Sequence, residues 1–196
     1  MEDKTWTREY AAQYAIDAHK GQKRKFTGAP YVIHLLYVAD AAEKWAQESS
    51  DVLNARLFYI VGCLHAVIED TDVTYEDLVR DFGPGRARRV QALTCPNVEG
   101  NRAARKKAYR EQMSLTSTVP RVVKIFDMKH NVPDIAENDP GFAPRYIQEC
   151  LAMLDTIQAT APSNYLEDVG IHEAFHVLVN ETRADFTRLL IDLEDA

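Results

Sequence analysis

Cys63-Leu64-His65-Ala66-Val67-Ile68-Glu69-Asp70-Thr71 closes a long apolar run and stands directly before a turn. At about 100° per residue, a helix through it places Leu57, Val61, Leu64 and Ile68 on one core-facing stripe. His65 and Glu69 then lie at the edge of that stripe, with Ala66 and Asp70 beside them. One imidazole and two carboxylates share a rim. A lone helical histidine equally suits a packed core position with both nitrogens satisfied. What the stretch does therefore depends on what the rest of the chain brings to it.

Working outward, Ser50 or Asp51 is placed to cap this helix, the third of the chain. Upstream, Thr5 to Lys20 reads as a first helix stopped by Gly21, with His19 in its last turn. The basic loop Gln22-Lys23-Arg24-Lys25-Phe26-Thr27-Gly28-Ala29-Pro30 follows, then a second helix from Tyr31 to Ala46 carrying His34. Downstream, Thr74-Tyr75-Glu76-Asp77 starts a short helix that Phe82-Gly83-Pro84-Gly85 ends. Further helices are expected over Arg86 to Leu93, Arg102 to Met113, and Val119 to Val132, the last closed by Pro133. Asp127 and Asn131 share a face of it. Gly141 to Ala159 and Tyr165 to Leu193 complete the set. Strand-like alternation is scarce, so the expected architecture is one all-α domain, residues 1–196, of about eight or nine helices.

The composition sets limits on partners. The chain has 196 residues, 46% hydrophobic and 27% charged, enough for one substantial core. A net charge of -7 argues against broad affinity for nucleic acid or anionic membrane, leaving room only for a local basic pocket. No apolar run reaches the roughly 20 residues a bilayer span needs, and the first residues are unlike a signal peptide, so a cytoplasmic location is expected. Cys63, Cys95 and Cys150 are scattered and odd in number, which fits reduced thiols. Oligomeric state is left open.

Several motifs occur in order: Ala15-x-x-Ala18-His19-x-Gly21-Gln22-x-Arg24-Lys25-x-Thr27-Gly28-x-Pro30-Tyr31-x-x-His34, then Leu64-His65-x-x-Ile68-Glu69-Asp70-Thr71, then Phe82-Gly83, then Val123-Lys124-x-x-Asp127-x-x-His130-Asn131. Together, over roughly residues 8 to 155, they resemble the hydrolase domain of RelA/SpoT proteins, most of all the small alarmone hydrolases of the HD superfamily. The resemblance implies an all-helical fold, one manganese ion, and removal of the 3′-pyrophosphate from guanosine tetra- and pentaphosphate. It implies His34, His65 and Asp127 as metal ligands, a set that also suits zinc or iron. Glu69 and Asp70 would position or deprotonate the attacking water. Arg24, Lys25 and Thr27 match the nucleotide-contacting loop, with Arg24 able to stack on the base, and Asn131 matches the ribose position. Tyr31 and His130 fit supporting roles. The C-terminal residues 156–196 lie outside the resemblance.

The chain departs from the family at the dipeptide that names it: where His-Asp is expected, it reads His65-Ala66. A methyl group replaces a carboxylate ligand, and losing even an outer partner of a metal commonly costs about 10- to 100-fold in affinity or activity. The chain is therefore expected to be impaired. Either Ala66 was introduced to trap substrate in an otherwise intact enzyme, or the natural protein binds nucleotide without cleaving it. Retention of His34, His65, Glu69, Asp70, Asp127 and Asn131 favours the first. Cys95-Pro96-Asn97 stands where relatives often carry a lysine, a role Arg102, Arg105 or Lys106 could take. Pro133-Asp134-Ile135-Ala136-Glu137 replaces the usual apolar run under the base. An adenosine alarmone, a nicotinamide dinucleotide phosphate or a deoxynucleoside triphosphate is the alternative substrate.

A second pattern competes. His172-Glu173-Ala174-Phe175-His176 matches His-Glu-x-x-His, with both histidines on one helical face. A metalloprotease also needs a third ligand and an edge strand. Few residues follow His176 and strands are not evident, so a histidine-rich turn of an amphipathic helix is the expected reading.

Overall fold

The computed structural model describes residues 6–49, 54–160 and 169–195. Among them nine helices form: α1 (Arg8–Ala18), α2 (Val32–Glu48), α3 (Ala55–Leu64), α4 (Val67–Asp70), α5 (Tyr75–Gln91), α6 (Arg102–Ser114), α7 (Thr118–Asn138), α8 (Ala143–Ala159) and α9 (Val169–Glu194). The all-α expectation holds. The expected cap at Ser50 or Asp51, and the expected helix starts at Thr5 and Tyr165, lie outside the described residues.

α3 is the centre of the bundle because it is apolar around its whole circumference: Phe58, Tyr59, Ile60, Val61, Cys63 and Leu64 are all buried. A helix without a polar face must be enclosed by others, and α1, α2, α5 and α7 pack around it. The tightest approach is to α2, whose inner face presents Ala39, Ala42 and Ala46. Gly62 lies so close to that face that a Cβ built on it would stand 2.6 Å from Ala39 Cα. These small residues let two helices that carry His34 and His65 come together.

Two boundaries differ from the expected ones. The long third helix is interrupted: α3 stops at Leu64, Ala66 takes φ -109° and ψ -2°, and the short α4 resumes at Val67. Val61 and Leu64 are buried as expected, whereas Leu57 and Ile68 are only partly so. Pro133, expected to end α7, lies inside it, and the helix continues to Asn138. An interior proline costs about 3 kcal/mol. Burial of Val132 and Ala136 and an ion pair from Arg24 to Asp134 at 2.7 Å hold the turn beyond it. By contrast, the punctuation around α5 is as read. Thr74 and Asp77 form a reciprocal capping box, and Gly83 kinks the helix at φ 77°.

Arg121 fastens the start of α7. It is buried and donates to the carbonyls of Ser114 at 2.8 Å, Thr116 at 3.0 Å and Ile157 at 2.7 Å. One guanidinium thereby ties α6, α7 and α8 together and fixes the helix that bears Asp127.

Replacing Gly62 with alanine is expected to force α2 and α3 apart, at a cost of about 1–3 kcal/mol from overpacking. Urea unfolding monitored by circular dichroism should show that loss. An unchanged midpoint would mean that the close approach does not set the helix spacing.

Candidate active site

Three helices that are distant in sequence meet at one point. α2 brings His34, the end of α3 brings His65 and α7 brings Asp127. All three are buried, and one ligand atom from each lies within 4.8 Å of the other two. No other group of three such side chains converges among the described residues. His34 Nε2 is 3.2 Å and His65 Nε2 3.7 Å from Oδ1 of Asp127.

The protonation of this trio suits a cation. His65 Nδ1 lies 2.7 Å from the carbonyl of Gly62, which can only accept, so the ring's proton is on Nδ1 and its Nε2 carries a lone pair. Burial pushes the His65 imidazole down to about 4, which keeps it neutral. His34 Nδ1 is 2.9 Å from Nδ1 of His130, while its buried Nε2 makes no hydrogen bond of normal geometry. If His130 accepts, Nε2 of His34 is also free to ligate. Burial drives the Asp127 carboxyl up, but Lys124 and the two imidazoles outweigh that and hold it well below its ordinary range. Two imidazoles and one carboxylate are a donor set that divalent manganese, iron or zinc accepts.

Lys124 was in the sequence motif but had no role assigned to it. Its ammonium sits 2.6 Å from Oδ2 of Asp127, one helical turn away. Burial opposes its charge, and Asp127 overrides it, holding the group well above its ordinary value. The signal for it was a single lysine inside the apolar run Val122 to Phe126, three residues before Asp127.

Beside the trio opens a cavity of about 170 Å³, lined among others by Ala66, Glu69, Asp70, Lys124 and Asn131. Glu69 accepts from the Cys95 amide at 3.3 Å, and burial raises its carboxyl above the ordinary range. Asp70 accepts from the Tyr31 hydroxyl at 3.0 Å, and its backbone carbonyl accepts from Gln22 at 2.7 Å. The break after α3 is what turns these two carboxylates toward the same space as His65. Ala66 lines the wall with a methyl group and is itself only 6% exposed.

The basic loop closes against α7. Arg24 donates from Nη1 to Asn131 Oδ1 and from Nη2 to Asp134 Oδ2, each at 2.7 Å, which fixes the plane of its guanidinium. Asn131 in turn donates to Asp127 Oδ1 at 2.6 Å, which joins the loop to the trio. Arg24 and Thr27 line a groove of about 490 Å³ with Tyr37 and His130, on the other side of His34. Lys25 lines neither space: its side chain is 75% exposed and pairs with Asp139 at 3.5 Å.

On α6, Arg102 is bound by two bonds of 2.7 Å to Glu149, Lys106 lies 3.9 Å from the same carboxylate, and Arg105 is exposed. His172 and His176 do lie on one face of α9, but no third ligand joins them among the described residues. Glu173 points into a different groove with Trp45 and Val177. The protease pattern therefore lacks both the base and the third ligand at its histidines.

No protein-family model matches the chain. It is 32% identical over 130 residues to guanosine-3′,5′-bis(diphosphate) 3′-pyrophosphohydrolase MESH1 of Drosophila melanogaster, covering 65% of this chain and 69% of that one. To the Mus musculus MESH1 it is 32% identical over 146 residues, covering 71% and 75%. To the enzyme of the same activity name from Aquifex aeolicus it is 33% identical over 124 residues, 62% of this chain but only 17% of that one, so it spans less than a fifth of that longer relative. The fold matches a solved structure described as a metazoan ortholog of SpoT that hydrolyzes ppGpp. The TM-score is 0.67 at 24% identity, over 86% of this chain and 93% of that one. At 32% identity over 69% and 75% of these two relatives' lengths, the chain belongs to the MESH1-type family of guanosine-3′,5′-bis(diphosphate) 3′-pyrophosphohydrolases.

Proposed function

We propose that this chain is a divalent-metal-dependent hydrolase for the 3′-pyrophosphate of guanosine-3′,5′-bis(diphosphate), slowed by Ala66. The observation that carries this reading is the meeting of His34, His65 and Asp127 at the edge of a cavity that also holds Glu69 and Asp70. The names of the relatives support the substrate, and a nucleotide substrate fits a cytoplasmic location. Manganese is the ion this reading assigns, held by His34, His65 and Asp127. When bound, such a cation supplies positive charge that acidifies water and offsets the charge of the attacked phosphoryl group.

The remaining roles fall to the chain's own groups. Glu69, raised by burial, takes the proton as the water oxygen bonds to phosphorus and the bond from phosphorus to the 3′ oxygen breaks; the bond's electron pair leaves on the 3′ oxygen, which takes a proton from solvent to become the ribose 3′ hydroxyl. The Tyr31 hydroxyl holds Asp70 in place to orient that water. Arg24 offers a guanidinium face to the base, with Thr27 beside it, and Asn131 meets the ribose by exchanging one of its present bonds. Lys25, exposed and paired with Asp139 outside both cavities, is assigned only long-range attraction for the phosphates.

A non-catalytic nucleotide-binding role is the second reading, favoured by the Ala66 methyl in the cavity wall. The Ala66→Asp form with manganese should release pyrophosphate from guanosine tetraphosphate roughly 10- to 100-fold faster than the unchanged chain. Tight binding of the alarmone by calorimetry with no release from the restored form would establish the non-catalytic role. Cleavage of an adenosine alarmone, a nicotinamide dinucleotide phosphate or a deoxynucleoside triphosphate instead would reassign the substrate.

His130 acts through His34 by accepting its Nδ1 proton. His130→Phe keeps a ring against Tyr37 and removes that acceptor, and manganese affinity by calorimetry should drop about 10- to 100-fold. Equal affinity would remove His130 from the assembly.

With a chelator present, the folded chain keeps His65 and His130 neutral, because burial pushes both from 6.5 to about 4. Unfolded imidazoles take up protons near 6.5. This contribution to stability is present in full above that pH and is lost as pH falls toward 4. Denaturant midpoints measured from pH 7 to 4 should decline; a rise on acidification would contradict the neutral assignment.

A further inference from the structure

His172 and His176 are left unused by the nucleotide reading, and their geometry is specific. They lie one turn apart on α9, with Nε2 atoms 3.1 Å apart and rings 4.3 Å apart, nearly perpendicular at 64°. Both are half-buried. Their helix face is fixed by neighbours: Phe175 and Val179 are buried in the core, and the Phe175 ring stands edge-on to His176 at 6.0 Å. The two Nε2 atoms thus face one another across 3.1 Å on a helix whose other side is packed.

We propose that this pair is a second metal site, a two-imidazole chelate for a transition ion of the copper, nickel or zinc class. With metal-to-nitrogen bonds of about 2.0–2.1 Å, nitrogens 3.1 Å apart subtend roughly 95–102° at the ion, between the octahedral and tetrahedral angles. Each ring turns so that its Nε2 faces the shared ion instead of its neighbour, while the spacing of the two nitrogens is kept. The ion replaces the proton that one Nε2 now shares with the other, and that proton passes to Nδ1 of the same ring or to solvent. Two nitrogen donors without a carboxylate favour copper over nickel, and nickel over manganese, in the usual order of divalent affinities. Water fills the remaining positions, since no third protein ligand converges there among the described residues. This site draws on a different helix and a different donor set from the trio on α2, α3 and α7.

Copper(II) is the probe. Calorimetry and electron paramagnetic resonance on the full chain should be compared with His172→Gln and His176→Gln. The unchanged chain should bind one more copper ion than either variant, or bind it at least about tenfold more tightly. The signal of that extra ion should carry nitrogen splitting from two imidazoles, reduced to one in each variant. Both substitutions fall on half-buried surface positions, and an unchanged copper affinity at the remaining sites shows that the variants are folded. If both variants bind copper with the number and affinity of the unchanged chain, or if no copper signal shows two of their nitrogens, the pair is an ordinary hydrogen-bonded contact and the proposal fails.

Discussion

The close crossing of α2 and α3 is the constraint on which the site depends. Gly62 against Ala39 brings the two backbones nearer than side chains of ordinary size permit, and the same contact sets the histidine rings of the two helices 5.1 Å apart at 78°. Gly62 serves a second purpose, since its carbonyl fixes the tautomer of His65. A packing requirement and a chemical one therefore fall on one residue. α7 then completes the arrangement from the opposite side, fastened at its start by the buried Arg121 and at its far end by the bond from Arg24 to Asp134.

The electrostatics of the site follow from burying a carboxylate beside the neutral imidazole of His65 and the ring of His34. Asp127 stays ionised because Lys124 supplies a positive charge at 2.6 Å, and breaking such a buried pair is costly. Ala66 alters that balance. A carboxylate at that position would add negative charge to the cavity, drawing a cation more strongly and competing for Lys124. With a methyl there, His34, His65, Asp127 and the Lys124 ammonium share the space. The missing charge, rather than any rearrangement of the fold, is the physical basis of the proposal that Ala66 slows turnover.

Much of the fold was legible in the sequence because helix periodicity and turn residues are local signals. The capping box at Thr74 and the interruption at Gly83 were readable from a few residues each. Pro133 misled because its local cost is real but is offset by burial of its neighbours in α7 and by Arg24, 110 positions from its partner Asp134. The interruption at Ala66 carried no breaker residue. It is visible only once the backbone is seen to turn after His65, and an uninterrupted stripe was the natural reading without it.

The site was legible in a different way. No periodicity links His34, His65 and Asp127, since they come from three helices; their grouping came from the order of motifs and was then found in space. Arg24, Thr27 and Asn131 were likewise brought near the trio, whereas Lys25 stands away from both cavities, because position in a basic loop does not say which way a side chain turns. Lys124 was overlooked for the opposite reason: a lysine within an apolar helix is readily taken for a solvated edge. The bonds from Arg24 through Asn131 to Asp127 could not be read at all, as they depend on how the loop folds back onto α7.

Anomalous diffraction from crystals equilibrated with manganese tests the central claim most directly. The account requires one strong peak roughly 2.0–2.3 Å from Nε2 of His34, Nε2 of His65 and a carboxylate oxygen of Asp127. Saturating manganese with no peak at that point, or with the three side chains turned away from it, would contradict it.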